Sequence, residues 1–145
     1  MAPKRRQRGV TLLEMTIVVT IIGIMAGLSV PLLTSGLDAL RLSQATGSVA
    51  SFLNAAVNRA ERRHDLLEIV VSPKQNTLWL HSTEPGFARK LELPGGILLT
   101  GDERRIVLYP GAAFPRIGVE LRTEKGSSRI VRMDPTTVVP QIERP

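Results

Sequence analysis

Hydrophobic and polar positions divide the chain into three stretches with different periods. From Met15 to Leu37 no residue is charged, and the run is dense in Ile, Val, Leu and Met, long enough as a helix to span a bilayer core. The other reading is a buried core helix, but a chain of 145 residues has little protein with which to cover a helix that is apolar on every side. After that run the pattern turns amphipathic. Leu33, Leu37, Leu40, Ala45, Val49, Phe52, Leu53, Ala56, Val57 and Ala60 recur at spacings of three to five, with Arg41, Gln44, Asn54, Asn58 and Arg59 between them. One helix is therefore predicted to run on to about Arg63, where the cluster Glu61-Arg62-Arg63-His64-Asp65 ends the stripe with cations suited to the negative end of the helix dipole. Pro31 lacks the N–H that continues a helix, and a kink is expected there.

Beyond Leu67 the period shortens to two. Leu67 to Ser72, Thr77 to His81, Arg89 to Leu93, Ile97 to Thr100, Arg105 to Tyr109, Gly118 to Arg122 and Ser128 to Met133 read as short strands. Turn residues separate them at Pro73-Lys74-Gln75-Asn76, Pro94-Gly95-Gly96, Gly101-Asp102, Pro110-Gly111 and Lys125-Gly126, and the short connections predict antiparallel meanders. The tail after Asp134, punctuated by Pro135, Pro140 and Pro145, is expected to be an edge strand fading into disorder. The predicted fold class is α+β: a long N-terminal helix packed on a small antiparallel β domain.

Composition narrows the chemistry. With no Cys and only His64 and His81, neither a metal centre nor any cofactor is expected. No Gly-x-Ser-x-Gly, His-Glu-x-x-His or phosphate-loop pattern occurs, so the chain is expected not to be an enzyme. His64-Asp65 and His81 read as solvated groups rather than general bases, and Asp102-Glu103-Arg104-Arg105 as a charged turn with surface ion pairs. Lys4, Arg5, Arg6 and Arg8 supply most of the net charge of +6, which places the N-terminus in the cytoplasm by the positive-inside rule and weakens the case for nucleic acid.

That basic leader abuts Arg8-Gly9-Val10-Thr11-Leu12-Leu13-Glu14, and the segment through Pro31 resembles the signal of type IV prepilins and type II secretion pseudopilins. An ordinary secretory signal shares the basic start and apolar run, but here no small-x-small cleavage site follows cleanly and the helix pattern continues past Pro31. The resemblance implies a leader over residues 1–9, cleavage between Gly9 and Val10 by prepilin peptidase, and methylation of the Val10 amino group. Val10 stands where the family usually has Phe. It further implies assembly through Glu14, a kink at Pro31, and a chain anchored once in the bacterial inner membrane, with an assembly helix over 10–37 and a periplasmic domain over 38–145. Independently of the family, a carboxylate at the mouth of an uncharged spanning helix costs about 1–3 kcal/mol in lipid and calls for a partner. A free ammonium on Val10, four positions earlier, or on a neighbouring subunit, would supply it.

Val49 to Leu80, with Asn58 to Arg63, Leu67 to Val71 and Asn76 to Leu80 inside it, together with Val131 to Thr136, resembles the H-type minor pseudopilins and the FimT-like minor pilins. The partners this implies are other pseudopilins, major and minor, in a filament, the prepilin peptidase and the inner-membrane assembly platform. Unlike a major pseudopilin, the chain has no acidic calcium-binding loop near its C-terminus; Asp134 and Glu143 are isolated. The alternative is a FimT-like minor pilin in pilus assembly, adhesion or DNA uptake, using Arg116, Arg129, Arg132 and Arg144 on phosphates. Arg122 would extend such a face, but Glu120 and Glu124 interrupt it. Gly23 and Gly27 have the small-xxx-small spacing of close helix contacts, and equally that of a flexible helix.

Overall fold

The computed structural model describes residues 10–83, 86–136 and 139–144, and gives the backbone alone for residues 29–35. The expected leader over residues 1–9, Gly9 included, lies outside the described residues. Helix α1 spans Leu12–Arg63 and is helical at Pro31; the side chains around the expected kink are outside the described ones. The chain divides into two compact units, Met1–Leu37 and Asp38–Pro145.

In the first unit the helix starts on a cap. The Thr11 carbonyl accepts the first helical bond, from the Met15 N–H at 3.2 Å, and Thr11 Oγ1 accepts the Glu14 N–H at 3.2 Å, a group that the first turn would otherwise leave open.

In the second unit, the later half of α1 joins a core with two antiparallel sheets. Leu42, Ala45, Val49, Phe52, Leu53, Ala56, Val57 and Ala60 are buried, and Thr46, buried among them, sends its Oγ1 hydrogen to the Leu42 carbonyl at 2.6 Å. The stripe therefore enters the core at Leu42. Leu37 and Leu40, expected to lead it, are exposed, because at 100° per residue they project from the opposite side of the helix to Leu42 and Val49. Leu33 lies among the residues whose side chains are not described. His64, at φ 52°, turns the chain out of the helix just after Arg63.

The strands are β1 Leu67–Ser72, β2 Thr77–Ser82, β3 Ala88–Glu92, β4 Ile97–Thr100, β5 Arg104–Leu108, β6 Ile117–Thr123, β7 Ser128–Met133 and β8 Pro140–Glu143. They form two four-stranded sheets, β3-β2-β1-β5 and β4-β6-β7-β8, with every pairing antiparallel. The meander expectation holds within β1–β2–β3 and within β6–β7–β8 but fails between them. β4 leaves the first sheet for β6, and β5 returns to pair with β1. Alternation directs Leu67, Ile69, Leu78 and Leu80 from the first sheet, and Ile97, Val119, Leu121 and Val131 from the second, into the same core as the helix stripe. β8 adds an edge to β7 and opens on Pro140, which an edge position tolerates.

Asn76 stitches the two sheets together. It ends the β1–β2 turn at φ 54°, where its side-chain nitrogen donates to the Ile97 carbonyl at 2.7 Å and its oxygen accepts the Leu99 N–H at 2.9 Å. An amide can offer a donor and an acceptor at once, so it pairs with β4 much as a further strand would.

Candidate functional site

The helix start presents Val10, Thr11 and Glu14 together. Val10 precedes the cap residue and lies outside the helix, so the four-residue step from Val10 to Glu14 is not a helical spacing in this structure. Glu14 is exposed and has no ion-pair partner among the described residues. The pattern Thr11-x-x-Glu14 is itself a capping signal, and it could have located this helix start from the sequence alone.

On both sides of Glu14, from Leu12 to Leu28, the helix surface is apolar in every direction. Leu12 is 87% and Leu13 70% exposed, and Met15, Ile17, Val18, Val19, Ile21, Ile22, Ile24, Met25 and Leu28 are exposed as well. Successive residues turn by about 100°, so such a run has no polar side to offer water. The two hydroxyls within it are already occupied: Thr16 donates to the Leu12 carbonyl at 2.9 Å and Thr20 to the Thr16 carbonyl at 2.7 Å. A Cβ built on Gly23 or Gly27 would meet nothing within 4 Å, so no contact among the described residues requires glycine there. Among the described residues no helix is long and apolar enough to cross a membrane.

A second polar centre, which the sequence pattern did not reveal, lies where the helix meets the first sheet. Asp65 is buried; its Oδ2 accepts a hydrogen bond from Ser82 Oγ at 2.5 Å and from Arg59 Nε at 3.3 Å, while Oδ1 has no hydrogen-bond partner among the described residues. The Arg59 guanidinium also lies 3.5 Å from the centre of the Phe87 ring. Asp65 thus ties the helix end to β2, and Arg59 reaches on to Phe87 just ahead of β3, while the neighbouring His64 stays exposed. His81 stacks on Trp79 with 5.7 Å between ring centres.

The arginines expected to form one phosphate-binding face do not share a face. On β7, Arg129 alternates toward the side of Val131 and Met133, and Arg132 toward the opposite side. Arg132 pairs with Glu143 at 3.0 Å and Arg116 with Asp134 at 2.9 Å, so two of the four already have carboxylate partners. In the turn Asp102-Glu103-Arg104-Arg105, Arg105 reaches Glu68 on β1, at 3.9 Å, rather than an acid of its own turn. On β3 the Lys90 ammonium, bonded to the Glu92 carboxylate, holds that carboxyl below the usual range. No cluster of three or more His, Asp or Glu that could hold a metal ion occurs among the described residues.

Residues 4–30 match the family described as the prokaryotic N-terminal methylation motif. No curated protein and no solved structure matches the chain. The matched motif is the signal of type IV pilins and pseudopilins, and it supports a place in the pilin-like superfamily. It implies processing by prepilin peptidase and assembly with other pilin-like subunits, and it points to membrane anchoring through the N-terminal helix.

Proposed function

We propose that this chain is a minor pseudopilin of the H type, a structural subunit of a type II secretion pseudopilus with no catalytic role. The observation that carries the reading is the methylation motif over residues 4–30 running into a helix whose early surface is apolar on all sides and whose later half seats in a two-sheet β domain. In this reading residues 1–9 are removed after Gly9, the Val10 amine is methylated, and residues 10–37 anchor the chain once in the inner membrane with its N-terminus in the cytoplasm. The domain over 38–145 then stands in the periplasm. During extraction from the bilayer, Glu14 pairs with the terminal ammonium of a neighbouring subunit and offsets the desolvation of both charges. The platform and the other pseudopilins gather the helices through Gly23 and Gly27, whose open surroundings admit a second backbone. The division and pairing of the arginines favour this reading over nucleic-acid binding.

Mass spectrometry of the membrane-extracted protein from cells containing prepilin peptidase tests the processing. A mature chain beginning at methylated Val10 is expected, and Gly9→Leu should keep the leader. An intact Met1 in the parent protein overturns the assignment. The system is tested by deleting the gene. Retention of secreted proteins in the periplasm with DNA uptake unchanged is expected, and the opposite pattern assigns the chain to a pilus.

A further inference from the structure

The first sheet ends on β3, and the outer edge of β3 is unpaired among the described residues. Ser82 N–H donates to the Phe87 carbonyl at 3.2 Å and Leu93 N–H to the Asn76 carbonyl at 3.3 Å, which sets the phase of the β2–β3 ladder. With antiparallel alternation, Arg89 and Leu91 turn their backbone groups toward β2, whereas Ala88, Lys90 and Glu92 turn theirs to the open edge. Beside that edge lies an open groove of about 750 Å³ between α1 and β3, lined by Gly47, Ser48, Ser51 and Ala55 on the helix and by Arg89 and Leu91 on the strand. An added strand sits ~4.8 Å from its neighbour, and these short helix side chains leave room for one.

The side chains around the groove set the chemistry of its occupant. Arg89 and Leu91 stand in register with buried Leu80 and Leu78, on the face toward the helix. Arg89 has no ion pair among the described residues, and no acid lines the groove. Lysines on an edge strand commonly discourage pairing, but here the Lys90 charge is already matched by Glu92 while its ammonium lies 5.0 Å from the Trp79 ring centre. A second copy paired in the centred register would set Lys90 against Lys90. We propose that the β3 edge receives an extended segment of a different protein, added as a fifth strand, with a carboxylate facing Arg89 and an apolar side chain against Leu91. The proposal rests on the geometry of the 38–145 domain and does not depend on the pseudopilus reading, under which the donor would be another filament subunit.

The full chain in its native membranes, carrying a benzophenone photocrosslinker at exposed Ser51, tests this. The expected result is an adduct to one other protein, in which the cross-linked peptide is an extended segment containing Asp or Glu. Its yield should fall at least about tenfold, or 1.4 kcal/mol, in Lys90→Pro but not in Lys90→Ala, which loses the same side chain and keeps the edge N–H, and should fall likewise in Arg89→Glu, which reverses the charge, with the circular dichroism of all three variants unchanged. Absence of an adduct, an adduct to a second copy of this chain, or a yield indifferent to both variants overturns the proposal. The N-terminal mass read from the same membranes reports on the processing signal separately, so failure of one reading is distinguishable from failure of the other.

Discussion

Leu53→Ala tests how the helix is seated in the β domain, and Leu40→Ala is its control. Leu53 is 0% exposed and shares one core with Leu67, Ile69, Leu78 and Leu80, whereas Leu40 is 61% exposed. Truncating a leucine removes the same atoms at either site. At Leu53 it also leaves a cavity that two sheets and a helix cannot easily close, so the cost should be about 3 kcal/mol, within the range of buried Leu→Ala changes. At Leu40 the change should stay within about 0.5 kcal/mol. Because total stability of a domain is about 5–15 kcal/mol, the first change should lower Tm by about 12–20 °C and the second by only a few degrees. Thermal melts of the detergent-solubilised full chain, followed by β-sheet circular dichroism and by the fluorescence of Trp79, the one tryptophan, measure both. Trp79 sits on β2, and so reports the first sheet directly. Equal losses at the two positions, or a loss below about 1 kcal/mol at Leu53, would refute the seating of the helix through the Leu42, Val49, Leu53 and Val57 stripe.

Asn76→Gly keeps the positive φ but removes both bonds to β4; a loss of about 2 kcal/mol is expected, with faster hydrogen exchange at the Leu99 amide, and unchanged exchange there would show the stitch to be dispensable. Asp65→Ala should cost about 2 kcal/mol, less than a wholly buried pair would, because Arg59 keeps some solvent and its contact with Phe87; chemical denaturation reads it. Glu14→Val should leave membrane residence and cleavage after Gly9 intact while abolishing cross-links to partner subunits. Normal cross-linking and secretion from that variant would make the carboxylate a passive interfacial residue.

Local chemistry wrote much of this protein into the chain in readable form. The charge-free run, the helix end at Arg63 and the strand positions, with the edge strand in the tail after Asp134, follow from periodicity and turn residues, because each depends on neighbours a few positions away. The N-terminal methylation motif is equally legible, since one contiguous segment, residues 4–30, carries it. Other features were decided by partners remote in the sequence. β4 and β5 have ordinary strand patterns, and nothing within either says which sheet it joins; that depends on Ile97 meeting Thr123 and Leu67 meeting Leu108. Asp65 reads as one charge in a solvated cluster until Ser82 and Arg59 close over it. Periodicity fixes which element forms, because the backbone repeats; which face is buried and which charge finds a partner depend on contacts the chain makes only after it has folded back on itself.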